Sequence, residues 1–269
     1  MWPDAEEIER AALEDLHAAA EPDLTAALGL RNRYSGPALL SMARALPPSA
    51  IVINRTLGLG LGTPASREAV AEIVNAYGEA AIERYFVHVH PSAEPPALTS
   101  WLEALGLERA RAWVKFERGR EAPPAVQTSL EIRAAGPADR DAFGRIVADA
   151  FDLGEQAAPW IGRLIGRPGW HVYTSFDGDR TAGAGTLFVR DGVGWLDWGA
   201  TAPAFRGRGS QSAILSRRIR QALDLGCRLL VTATGEEVHG DPQHSYNNIM
   251  RAGFRPAYLR RNYAPPRPI

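Results

Sequence analysis

Between His171 and Ala202 three strand-like runs, His171 to Phe176, Thr181 to Arg190 and Val193 to Ala202, are separated only by Asp177-Gly178-Asp179 and Asp191-Gly192. Asp-Gly pairs reach the positive φ angles of tight hairpin turns, so these runs are expected to fold back on one another as an antiparallel meander. The next segment narrows the choice. The run PAFRGRGSQ, Pro203 to Gln211, leads into a helix to Leu225 with Ile214, Leu215, Ile219, Ala222 and Leu223 on its buried side. An apolar strand from Leu229 to Thr234, a helix from about Tyr246 to Arg251 stopped by Gly253, and a strand through Tyr258 complete the pattern. Upstream, Leu130 to Arg133 reads as a strand and Pro137 to Phe151 as a helix carrying Phe143, Ile146, Val147 and Phe151 on one face.

The first half repeats the end of this pattern in weaker form. Asp4 to Ala20 reads as an amphipathic helix, with Asp4 and Glu7 at capping-box spacing. Ile51 to Ile53 reads as a strand, Ser66 to Tyr77 as a helix, Tyr85 to Val89 as a strand, Leu98 to Leu105 as a helix and Ala112 to Phe116 as a strand. Gly78 and Gly106 are 28 residues apart, and Gly226 and Gly253 are 27 apart. Matching helix-stop glycines suggest an internal duplication. The Pro-Pro segment Gly119 to Thr128 has no apolar periodicity and is the expected linker, giving domains 1–122 and 129–269.

The chemistry concentrates in the turn after the meander. Gly207 and Gly209 let the backbone turn its N–H groups inward, and the helix starting near Ser210 adds the positive end of its dipole. Arg206, Arg208, Arg217, Arg218 and Arg220 make this edge basic although the net charge is −1. A ligand with several phosphates fits that field. In this setting TAPAFRGRGSQSAIL resembles the acetyl-CoA signature of the GNAT N-acetyltransferase superfamily, its loop pattern falling on Arg206, Gly207, Arg208, Gly209, Ser210 and Gln211. Gln211 departs from the usual glycine or alanine. Thr201-Ala202-Pro203 is similar to the family's entry to the loop, and SYNNIMRAGFRPAYLRRNY to its closing helix and strand, which places Asn248 near the pantetheine arm.

The resemblance implies an α/β fold: a mixed, largely antiparallel twisted sheet flanked by helices, splayed between its fourth and fifth strands and duplicated in tandem. It implies acetyl-CoA as co-substrate, its thioester polarised by backbone N–H groups around Gly199, Ala200, Thr201 and Ala202. The first-half counterpart, LGLGLGTPASRE, has glycines at 58, 60 and 62 without a preceding arginine, and is expected to bind no cofactor.

Transfer to an amine needs a base for the ammonium and is helped by an acid for the thiolate. Asp197, a few residues before the loop, is the expected base. The family's tyrosine position falls on Ile249, so Tyr246, about a turn earlier, is the substitute acid. Glu236 and Glu237 are further acidic candidates on the substrate side, and Trp195 shares a strand face with Asp197 and is expected to line the acceptor pocket. His88 and His90 share a strand face, but no third ligand is visible and no metal site is expected. Cys227, the only cysteine, reads as a small buried residue and excludes an intrachain disulfide.

No run reaches the length of a membrane helix, and the N-terminus is acidic where a secretory signal is basic. The expectation is therefore a cytoplasmic N-acetyltransferase for a primary amine on a small molecule, with neither nucleic acid nor membrane as partner; a homodimer stays open as its assembly. The alternatives are a non-catalytic acyl-CoA-binding regulatory module and a protein or peptide N-acyltransferase.

Overall fold

The computed structural model describes residues 2–240 and 243–267. The chain divides into two compact units, Met1–Val114 with Tyr258–Ile269, and Lys115–Ala257.

The first unit opens with α1 (Asp4–Ala18), α2 (Pro22–Leu28), and the hairpin β1 (Leu30–Ser35) and β2 (Ala38–Ala43). Then come β3 (Arg55–Leu57), α3 (Arg67–Glu79), β4 (Phe86–Val89), α4 (Leu98–Ala104) and β5 (Glu108–Arg118), whose first seven residues belong here. The N-cap of α1 is Pro3 without a side-chain cap, so the Asp4 capping box does not form. The expected strand at Ile51 to Ile53 is a turn, with Ile53 buried and the strand starting at Arg55. Ser66 caps α3 by accepting the Ala69 N–H at 3.1 Å. Val70, Ile73 and Tyr77 of α3 lie in one apolar cluster with Leu40, Val87 and Leu102.

The second unit holds β6 (Glu131–Ala134), α5 (Arg140–Ala150), α6 (Ala158–Gly162), and the meander β7 (Trp170–Asp177), β8 (Arg180–Arg190) and β9 (Val193–Thr201). It continues with α7 (Ser210–Asp224), β10 (Leu229–Gly235), α8 (His244–Arg251) and the start of β11 (Arg255–Ala264). Asp191 and Gly192, at φ 51° and 73°, make the β8–β9 turn of the kind the Asp-Gly pair predicts.

The unit boundary differs from the linker expectation. Ser216 Oγ of α7 donates to the Pro124 carbonyl, and Thr128 Oγ1 donates to the Arg208 carbonyl. The Pro-Pro segment is thus pinned within the second unit, and the chain changes unit earlier, after Val114. Residues from Tyr258 on, expected in the second domain, belong to the first.

Strand order is β1-β2-β3-β4-β11-β5 in the first unit and β10-β9-β8-β7-β6 in the second. In each, an antiparallel pair (β2–β3, β8–β9) is followed by a loop, a helix and a strand parallel to the second member (β4 on β3, β10 on β9), then a helix and a further strand. This is one topology used twice, on a mixed and largely antiparallel sheet flanked by helices. The glycine intervals are a weaker sign of it: Gly106, Gly226 and Gly253 take positive φ at helix ends, but Gly78 lies inside α3.

Candidate functional site

Parallel pairing of β9 and β10 runs from Leu229–Val193 to Val231–Trp195, and the strands extend beyond it, β9 to Thr201 and β10 to Gly235. Thr232 Oγ1 still reaches the Leu196 carbonyl at 2.8 Å. Beyond that bond lies an open cleft. Its walls include Asp197, Trp198 and Gly199 of β9, Gln211 and Arg218 of α7, and Asn248 of α8.

The β9 wall is irregular at one point. Thr186 of β8 faces Asp197, yet Ala184, two residues on, faces Ala200, three residues on, so Trp198 and Gly199 form a bulge. Trp198 takes φ 50°, a conformation rare for an aromatic residue in a strand. Asp197 holds the bulge from its own side chain: Oδ1 accepts the Trp198 N–H at 2.8 Å, and Oδ2 accepts Trp195 Nε1–H at 3.0 Å. Behind it, the buried Arg218 donates to the carbonyls of Thr186 and Asp197, both at 2.9 Å. Burial pulls the Arg218 pKa down to about 10, against the attraction of Asp197, so it stays cationic at neutral pH.

The turn that enters α7 has the expected backbone. Gly207 and Gly209 have φ 78° and 82°, Gly209 is the N-cap without a side-chain cap, and no acid occupies the first turn. Arg206 is exposed at its rim. Ser210 is buried and bonded to Ser175 Oγ at 2.7 Å. Gln211 turns its amide onto Gly199, where a Cβ would lie 3.0 Å from it.

Other expectations need correction. Arg208 is committed to Asp177 by two bonds of 2.7 and 2.8 Å, which hold that carboxylate below its usual range, so its guanidinium is not turned to a cofactor. The Ala202 N–H is used by the Ala182 carbonyl. Ala200 is buried and paired with Ala184, and half-buried Thr201 pairs with Gly183. Trp195 is buried, with Lys115 Nζ 4.7 Å from its ring centre; it holds Asp197 and does not line the cleft. Tyr246 packs edge-on against Phe116 at 5.0 Å, while Ser245, Asn248 and Ile249 present the cleft-facing side of α8. Glu236 and Glu237 follow the end of β10 and are not among the cleft residues. In the sequence Arg218 stands out only as one of five cations that make this edge basic. Its place in the apolar stripe, four residues after Ile214, was the signal that it is buried.

In the first unit the counterpart of the α7 turn is filled by the chain itself. A Cβ on Gly58 would lie 1.8 Å from the Trp2 ring, whose Nε1–H donates to the Leu61 carbonyl at 3.2 Å, and one on Gly60 would meet the Glu94 carbonyl at 2.6 Å. These glycines make room for an indole and a backbone segment. His88 is buried against Asn262, and His90 is bonded to Ser92. No group of three or more metal-ligating side chains occurs among the described residues. Cys227 is buried, and burial raises its thiol pKa.

No family profile matches this sequence, and no curated protein does. Solved structures do. A GCN5-related N-acetyltransferase of Kribbella flavida is 14% identical and superposes with a TM-score of 0.66 over 100% of this chain and 98% of its own. One from Sphaerobacter thermophilus is 17% identical, with a TM-score of 0.60 over 84% of this chain and 79% of its own. A tandem GNAT protein from the clavulanic acid biosynthesis pathway, solved without AcCoA, is 18% identical at a TM-score of 0.52, over 78% of this chain and 73% of its own. With one topology present twice and these neighbours, the chain has the fold of the GCN5-related N-acetyltransferases in its tandem form.

Proposed function

We propose that the second unit is an N-acetyltransferase that takes the acetyl group from acetyl-CoA and passes it to a primary amine on a small molecule. The observation that carries this reading is the splay of β9 from β10 beside a bulge, next to the uncapped N-terminus of α7 and its two left-handed glycines. The turn suits a diphosphate: a Cβ on Gly207 would meet nothing within 4 Å, and Arg206 stands exposed beside it. Acetyl-CoA would supply the activated acyl group; Arg206, Gly207, Gly209 and the first turn of α7 would hold its phosphates, and Asn248 its arm.

The chain's own residues then divide the work. Gly199, in the bulge, offers its N–H toward an acyl oxygen. Asp197 takes the proton of the incoming ammonium, its carboxylate fixed in place by Trp195 and Trp198. Ile249 carries no proton, so the thiolate leaves with help from water at most. The cytoplasm is the compartment in which we place the protein.

Calorimetric titration of acetyl-CoA, with thiol release measured over a panel of small amines, tests this reading. Saturable binding at one site with turnover of at least one amine is expected. Ile249 favours one other reading, a non-catalytic acyl-CoA-binding module, which binding without turnover would support.

A further inference from the structure

Arg218 occupies a position where helix packing asks for an apolar side chain. Ile214, Leu215, Ile219 and Ala222 form the buried stripe of α7, and Arg218 lies within it at 4% exposure. A guanidinium there is costly to bury, and its hydrogen bonds go to no carboxylate. Its bonds run instead to two backbone carbonyls, Thr186 on β8 and Asp197 on β9, while its Nε has no hydrogen-bond partner. A second position makes room for it and for its neighbour on α7: a Cβ on Gly185 would come within 2.8 Å of both the Arg218 Cζ and the Ile214 Cγ2.

Those two carbonyls belong to the last regular pair before the bulge. The Asp197–Trp198 peptide is thereby tied at both ends, its carbonyl by Arg218 and by Thr186 Oγ1 at 3.1 Å, and its N–H by the Asp197 carboxylate. With that peptide fixed and Trp198 at φ 50°, only the Trp198 ψ is left to turn the next N–H, that of Gly199 in the cleft wall. Arg218 itself forms part of the same wall.

We infer that Arg218 is a positioning residue for acyl transfer: it locks the β9 bulge so that the Gly199 N–H points at the acyl oxygen, and it keeps a positive charge beside that oxygen. The inference rests on the acetyl-transfer reading above. It adds a residue that acts through the backbone and does not itself accept or donate the reaction's protons.

The test uses the full chain with acetyl-CoA carrying a 13C thioester carbonyl, whose infrared stretch falls when the carbonyl is polarised. Arg218→Met removes the charge at similar length, Arg218→Lys restores a charge without the fork, and Gly185→Ala crowds the guanidinium, together with the Ile214 side chain, from outside the cleft. In the wild type the bound stretch should lie below that of free acetyl-CoA. In Arg218→Met and Gly185→Ala it should return toward the free value while affinity changes by no more than about threefold, with thiol release slowed on the order of 10²-fold. Arg218→Lys should recover part of both. Should Arg218→Met not fold, the lysine variant and Gly185→Ala decide the matter. A bound stretch equal to wild type in the variants, or a loss confined to affinity, overturns the role given to Arg218. A wild-type chain that binds no acetyl-CoA overturns the acetyl-transfer reading, and this inference with it.

Discussion

Replacing Asp197 by asparagine removes a base, and the structure shows that it also does something else. Both carboxylate oxygens accept from N–H donors, Trp195 Nε1 and the Trp198 backbone. An asparagine has one oxygen, so its amide nitrogen must face one donor, leaving a buried N–H without an acceptor at a cost of about 1 to 3 kcal/mol. At 2 to 4 °C per kcal/mol for a chain of this size, the midpoint of thermal unfolding should fall by roughly 2 to 12 °C. The chemical loss is separate: a general base contributes about 10²- to 10⁴-fold to the rate. Trp195→Phe distinguishes the two, because it deletes the side-chain donor and leaves the base. In that background Asp197→Asn should cost less stability than it does alone and still lose the full rate. Thermal melts and thiol release from acetyl-CoA across pH 6 to 10 measure both quantities, and the rate deficit should shrink as pH rises and more of the amine arrives unprotonated. An asparagine variant equally impaired at every pH, or one whose rate returns with Trp195→Phe, would refute the assignment of Asp197 as base.

Arg206→Ala should weaken acetyl-CoA binding by about 1 to 3 kcal/mol, whereas Arg208→Ala, which breaks a half-exposed pair with Asp177, should change it far less; calorimetry on the two variants makes the comparison. Arg260→Met strips the buried Glu6 and Glu9 of a partner that, despite its own burial, they hold protonated above its ordinary range, and should cost about 3 to 5 kcal/mol in denaturant unfolding. Gly58→Ala, at φ 81° and against the Trp2 ring, should destabilise the first unit by about 2 to 4 kcal/mol in the same assay and leave the acetyl-CoA stoichiometry at one per chain.

The second unit was legible because its turns are written in residues with few alternatives. Asp191-Gly192 and Gly207-x-Gly209 need positive φ, and the structure has it at each of those positions. The first unit was less so. β1 carries Arg31, Asn32 and Arg33 with no alternation of apolar residues, β2 is buried throughout, and β3 has three residues, so periodicity had nothing to act on. In the candidate site the loop and Asp197 could be found from spacing, but rotamers could not. Whether Tyr246 faces Phe116 or the cleft, and whether Arg208 meets Asp177 or a ligand, are decided by neighbours far away in sequence.

Because residues of β11 lie in the first unit, between β4 and β5, that unit draws on segments from far apart in the polypeptide. Asn262 pairs with His88, and Arg260 meets Glu6 and Glu9, across more than 170 residues in each case. On the ribosome, the earlier helices and strands therefore emerge long before the strand that completes their sheet, and must wait, partly assembled, while the second unit is synthesised. Severing the gene at the Pro-Pro segment would yield a first fragment lacking its closing strand and a second with that strand unpaired. The two halves are copies in topology, but the first takes its closing strand from the far end of the chain.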